Sequence, residues 1–241
     1  MEYVIVGGIL FLGGFIQGLS GFGSALIVMP LLMPLLGVRL APPVMVAGAF
    51  VGQLFMLLWY RRAFYWRNIW RLSVASVFMI PVGVFLVRMV DEHWVFGLLA
   101  TVLIAYSLYA LFKLKLPALH HSGWAFVAGG LAGVLGGACN TDGPPVIIYG
   151  HCRKWNRQEF KGNLQAFFMV NSCVILTTHV AVGNMNAEAF PYMMVAIPSL
   201  VAGAWLGLSL DRFIHVELFH KICLVLLLVL GLRLGVLALG A

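Results

Sequence analysis

The chain has 241 residues, 62% of them apolar and only 10% charged, with a mean hydropathy of +1.01; a soluble domain of this size carries about 25% charged residues. That balance excludes a soluble globular protein and places the chain in a membrane. The net charge of +7 does not point to nucleic acid, because the basic residues sit in short segments between apolar runs, as topogenic charge does.

Apolar runs cover residues 3–36, 41–60, 69–89, 94–114, 124–150, 162–182, 190–210 and 218–239. Several reach the roughly 20 residues that cross a bilayer as helix, and none alternates with the period of a barrel strand. Only helices and closed barrels satisfy the backbone in lipid, so the expected fold class is all-α and polytopic. The chain opens on MEYVIVGG, with an acid where a signal peptide carries Lys or Arg. The opening run is therefore read as the first membrane element, retained in the mature protein.

The first run spans 34 residues and the fifth 27, both interrupted by glycine. A straight helix of the first run's length would measure about 51 Å, against a hydrocarbon core of about 30 Å. Each run is therefore expected to be a broken or re-entrant helix pair, 3–19 with 24–36 and 124–136 with 143–150, followed by three transmembrane helices.

The two sets of runs resemble each other. Gly18-Leu19-Ser20-Gly21 aligns with Gly133-Val134-Leu135-Gly136, and Val82-Gly83-Val84-Phe85-Leu86 aligns with Ala202-Gly203-Ala204-Trp205-Leu206. The chain reads as one transmembrane domain built by duplication: repeat one 1–116, linker 117–121, repeat two 122–241.

Charge sets the topology. If every run crossed once, the basic residues would divide eight against seven, with no bias between sides. With each first run returning to the side it left, Arg61, Arg62, Arg67, Arg71, Lys113, Lys115, Arg153, Lys154, Arg157, Lys161, Arg212 and Lys221 share one face, against Arg39, Arg88 and Arg233 on the other. That is the positive-inside pattern, and it makes the halves inverted, with both termini on the non-cytoplasmic side. Inverted repeats with broken helices are the signature of secondary transporters.

The breaks carry the chemistry. Irregular backbone at membrane depth persists only where protein or a wet cavity surrounds it. In the second half Gly136-Gly137 is expected to end a helix and Asp142-Gly143-Pro144-Pro145 to start the next, with Asp142 as cap. In the first half Gly21-Phe22-Gly23 breaks the chain and Ser24 is the expected cap. Both breaks should present helix N-termini, which bind anions. The glycines Gly14, Gly18, Gly129 and Gly133 also have the spacing of close helix packing.

Expected substrate-binding residues are Gln17, Ser20, Gly21, Gly23, Ser24, Asn140, Thr141 and Gly143. Asp142 is the one acid inside an apolar run, and reads either as a coupling group for a proton or sodium ion or as a structural cap. Gln53, Asn163, Gln165, Asn171, Thr177 and Thr178 read as interhelical hydrogen-bonding residues first. His151, Arg153, Lys154, Arg157 and Lys161 could draw anions to a cytoplasmic mouth, with topogenic charge as the simpler account.

No metal site or cofactor is expected. His120, His121 and His179 lack ligand spacing, and Cys139, Cys152, Cys173 and Cys223 lack CxxC spacing. No nucleophile–base constellation or phosphate loop points to an enzyme.

The segments GFIQGLSGFGSALIVMPLL (14–32) and GGLAGVLGGACNTDGPPVIIYG (129–150) together resemble the paired glycine-rich signatures of the sulfite exporter TauE/SafE family, also called TSUP. The resemblance runs over the whole chain. It implies a transporter of the bacterial or archaeal cytoplasmic membrane for sulfite, sulfoacetate, isethionate or a related organosulfonate, with a site at Gly18, Gly21, Gly23, Gly136, Gly143 and Pro144. The polar stretch Gly137-Ala138-Cys139-Asn140-Thr141-Asp142-Gly143 departs from the plain glycine run of many members. Two other readings stay open: a carrier for a cation or neutral solute held by Asp142, and a non-transporting membrane subunit.

Overall fold

The computed structural model describes residues 1–61, 63–114, 116, 117, 119, 121–211, 213 and 216–240, apart from the side chains of Val216 and Glu217. Arg62, Lys115, His120 and Arg212, named above, lie outside the described residues. The described residues form ten helices and no strand: α1 (Glu2–Ser20), α2 (Ser24–Leu36), α3 (Ala41–Tyr60), α4 (Trp66–Met89), α5 (Glu92–Leu111), α6 (Gly123–Cys139), α7 (Gly143–Cys152), α8 (Arg157–Ala181), α9 (Ala189–Leu210) and α10 (Val216–Ala238). Seven of these are long and apolar enough to cross a membrane, while α2 and α6 are shorter apolar helices. The protein is a multi-pass membrane protein, and both long opening runs are broken, the first at residues 21–23 and the second at residues 140–142.

Its outer surface is apolar, with Phe78, Leu131, Trp205 and Val229 exposed, whereas Gln17, Asn163, Gln165 and Asn171 are buried among the helices. Lipid tails are as apolar as leucine, so burial of leucine cannot drive such helices together; close backbone packing and interhelical hydrogen bonds do. Two helix pairs show this. Along α1 and α9, which run in the same direction, Tyr192 Oη donates to Glu2 Oε1 at 2.8 Å near one end. Further along, Gly14 meets Leu200 and Gly18 meets Ala204. The pair α6 and α4, also co-directional, places Gly129 on Leu72, Gly133 on Ser76 and Gly137 on Ile80.

Side chains are excluded at these contacts. A Cβ on Gly18 would lie 2.4 Å from the Ala204 carbonyl oxygen, and one on Gly137 2.1 Å from that of Ile80. This corrects one expectation: Gly136-Gly137 does not end α6, which continues to Cys139. Gly137 serves to seat α6 on α4 and belongs to the helix.

Helices α3 and α8 cross the centre in opposite directions. Ser172 Oγ donates to Gln53 Oε1 midway, and Lys161 Nζ approaches Tyr60 Oη at 3.5 Å at one end. That end is pinned further: the Tyr65 N–H donates to Asn163 Oδ1 at 2.8 Å, and Lys161 Nζ pairs with Asp211 Oδ2 at 3.3 Å just beyond α9. Around this centre α3 packs on α9, α8 packs on α4, and α5 packs on α10.

Candidate functional site

The first break is made by two glycines in the left-handed region. Gly21 (φ 84°) terminates α1, its N–H donating to Gln17 O, and Gly23 (φ 95°) precedes α2. Between them Ser20 Oγ lies 2.7 Å from the Ile16 carbonyl and 2.6 Å from that of Phe22, with one proton to share, and accepts from the Phe22 N–H at 3.4 Å. Its hydroxyl is occupied in holding the turn. From α8, Gln165 Nε2 donates to Gly21 O at 2.5 Å and locks the break from outside.

The second break turns on a non-glycine. Asn140 adopts φ 54°, its N–H donating to Gly136 O at 2.8 Å, and the Thr141 N–H donates to Leu135 O at 3.3 Å. The Asn140 side chain reaches the first half, donating from Nδ2 to Pro42 O at 2.8 Å. Asp142 occupies the capping position of α7 but makes no side-chain cap; its Oδ2 instead accepts from Asn171 Nδ2 on α8 at 2.7 Å. Ser24 is not a cap either. It is the first residue of α2, and Gly23 holds the capping position, where there is no side chain to cap with.

The two breaks meet on one cavity of about 30 Å³, room for about two waters. Of the nine residues singled out from sequence, Gln17, Gly23, Ser24, Asn140, Thr141, Asp142 and Gly143 line it; Ser20 and Gly21 do not. Gln53, Ser172, Phe22 and Phe168 are also part of the wall. Gln53 makes the interhelical hydrogen bond expected of it, to Ser172, and faces the cavity as well. Ser172 was not legible alone, although Lys161, Gln165 and Ser172 recur at helical spacing along one face of α8, a polar stripe that would have pointed to it.

The donors in this cavity are unequal. A helix leaves its first four N–H groups without intrahelical partners. At α2 all four, on Gly23, Ser24, Ala25 and Leu26, carry a proton. At α7 the corresponding residues are Asp142, Gly143, Pro144 and Pro145, and two of them have none. The α2 end therefore offers the denser cluster of donors, while the α7 end brings a carboxylate, the only one lining the cavity among the described residues. Thr141 Oγ1 is buried beside it with no hydrogen-bond partner.

A second, larger cavity of about 960 Å³ opens at the end where α5 and α7 finish and α8 and α10 begin. Lys113, Arg157, Lys161 and Lys221 line it, and Phe22, Gly23 and Leu26 are common to both cavities.

No curated protein and no solved structure matches the chain. One family does, described as sulfite exporter TauE/SafE, over residues 6–234. With nearly the whole chain matched, both broken helices inside the match and a helical membrane fold around them, the protein belongs to the sulfite exporter TauE/SafE family.

Proposed function

We propose that the protein is a secondary transporter that moves a small sulfur-containing anion across the cytoplasmic membrane by alternating access, taking the anion where the two breaks meet. The family implies a membrane transporter of sulfite-type anions. The observation that carries the finer reading is the convergence of two interrupted helices on one buried polar cavity.

Ser24 and the α2 N-terminal amides, with Gln17, Gly23, Thr141 and Gly143, hold the anion; Asn140 and Gly21 shape the breaks. A cavity of about 30 Å³ suits a compact ion such as sulfite better than sulfoacetate or isethionate, which would need the wall to move. Asp142 beside an anion site repels its ligand when ionised, which suits a group that takes up a coupling proton or sodium ion together with the substrate.

We take the halves as inverted repeats divided at the linker 117–121. Supporting this, α1 follows α9 and α6 follows α4, so the first helix of each half lies along the fourth of the other. The basic end, with Lys113, Arg157, Lys161 and Lys221, is taken as cytoplasmic and both termini as non-cytoplasmic.

The test is uptake of radiolabelled sulfite into proteoliposomes. Thr141→Val and Gln17→Leu should each abolish it in folded protein, and normal uptake by both removes the site. The carboxylate in the cavity keeps one competing reading, a cation carrier; excess isethionate and sulfite would leave such a carrier's flux unchanged.

A further inference from the structure

Lys161 is the most enclosed basic residue of the described chain, 9% exposed, and its position is unusual for topogenic charge. Its stem lies against the first break, where a Cβ on Gly21 would stand 3.2 Å from Lys161 Cγ. Among the described residues its ammonium has one carboxylate partner, Asp211 Oδ2 at 3.3 Å, while Asp211 Oδ1 is buried with no partner. Arg157, Lys161 and His220 line the large cavity together. The His220 ring sits 6.0 Å from that of Phe22, and its Nε2 is buried without a partner. Two cations and an imidazole thus line one cavity, with Asp211 the carboxylate paired there among the described residues, and Phe22 lies on the wall shared with the small cavity.

We propose that Lys161, His220 and Arg157 form an outer binding site for a small oxyanion at the inner end of the large cavity, which loads the inner site past the Phe22 ring. An arriving anion takes the Lys161 ammonium from Asp211 and accepts a hydrogen bond from His220 Nε2. The guanidinium of Arg157, at the start of α8, supplies further positive charge. The same chemistry would suit a lipid phosphate. Lys161 lies against Gly21 and His220 beside Phe22, at the break that borders the small cavity, so the soluble anion is the assigned ligand. The loading role rests on the transport reading; the binding does not.

Equilibrium dialysis of the full-length, detergent-purified protein against radiolabelled sulfite tests the site. The wild type should hold two sulfite ions per chain, Lys161→Gln one, and Lys161→Arg two again. Lys161→Gln/Asp211→Asn, which removes both charges of the pair, should also hold one, so that a fold damaged by an unpaired Asp211 is told apart from a lost site. In oriented proteoliposomes Lys161→Gln should raise KM from the basic side about tenfold, with the maximal rate within about twofold and KM from the other side unchanged.

Equal sulfite binding by the wild type and a folded Lys161→Gln variant, or a KM raised equally on both sides, overturns the proposal. So does displacement of the second sulfite by added phosphatidylglycerol, which would assign the cluster to lipid. A wild type that binds two sulfites and transports none would remove the transport function and leave the outer site standing.

Discussion

Asn171 Nδ2 donates to Asp142 Oδ2 over 2.7 Å, from the middle of α8 to the start of α7. This bond, and not a cap, is what holds the one carboxylate lining the inner cavity. Asn171→Leu leaves that group without its donor and should cost about 2 kcal/mol. Asp142→Asn keeps an oxygen to accept the same bond and should change stability by less than about 1 kcal/mol. Thermal unfolding in detergent, followed by the thiol reactivity of the buried Cys139, reads both; equal losses would make the charge structural.

Transport should separate from stability at Thr141. Its hydroxyl is buried without a partner, a state that costs about 1–3 kcal/mol. Thr141→Val keeps the shape and removes the orphan, so the folded state should hold or gain while sulfite uptake is lost. A valine variant that transports at the wild-type rate would show that the hydroxyl does not meet the substrate.

Packing of α1 on α9 and of α6 on α4 depends on hydrogen in place of a side chain. Gly18→Ala and Gly137→Ala press a methyl into carbonyl oxygens of the neighbouring helix and should each cost about 1–3 kcal/mol. Gly8 has nothing within 4 Å of its Cβ position, and Gly8→Ala should be neutral or stabilise by up to about 1 kcal/mol. Melting temperatures of the three variants side by side decide the matter, and a Gly8→Ala loss as large as the others would refute the packing account.

On the proposed coupling role, Asp142→Asn should keep exchange of labelled for unlabelled sulfite and lose accumulation driven by an ion gradient. Both fluxes are measurable in one proteoliposome preparation. Gradient-driven accumulation at the wild-type level would place the coupling group elsewhere.

The helical membrane fold, the two broken runs and most of the residues around their junction were legible in the sequence. Length and hydropathy dictate the first, since a run of residues 3–36 is too long to cross once, and glycine with proline marks where it yields. What sequence left open is what each polar group does after the helices meet. Asp142 looks like a cap, yet a partner 29 positions away captures its carboxylate. Ser20 looks like a ligand, yet its own turn consumes the hydroxyl. Gly137 looks like a stop, yet α4 lies against it. For Asp142 and Gly137 a tertiary partner overrode a local preference, and local spacing holds no record of that partner; for Ser20 the carbonyls of its own turn did so. The pair Pro144-Pro145 could have been weighed from sequence: prolines at the start of a helix carry no N–H, which leaves α7 the poorer anion end.

Because Gly14 and Gly18 rest on α9 while Gly129, Gly133 and Gly137 rest on α4, neither half of the chain contains the surface on which its own first helix sits. A gene split between Leu111 and Gly123 would yield two polypeptides that are each incomplete, and only co-expression would restore a folded product.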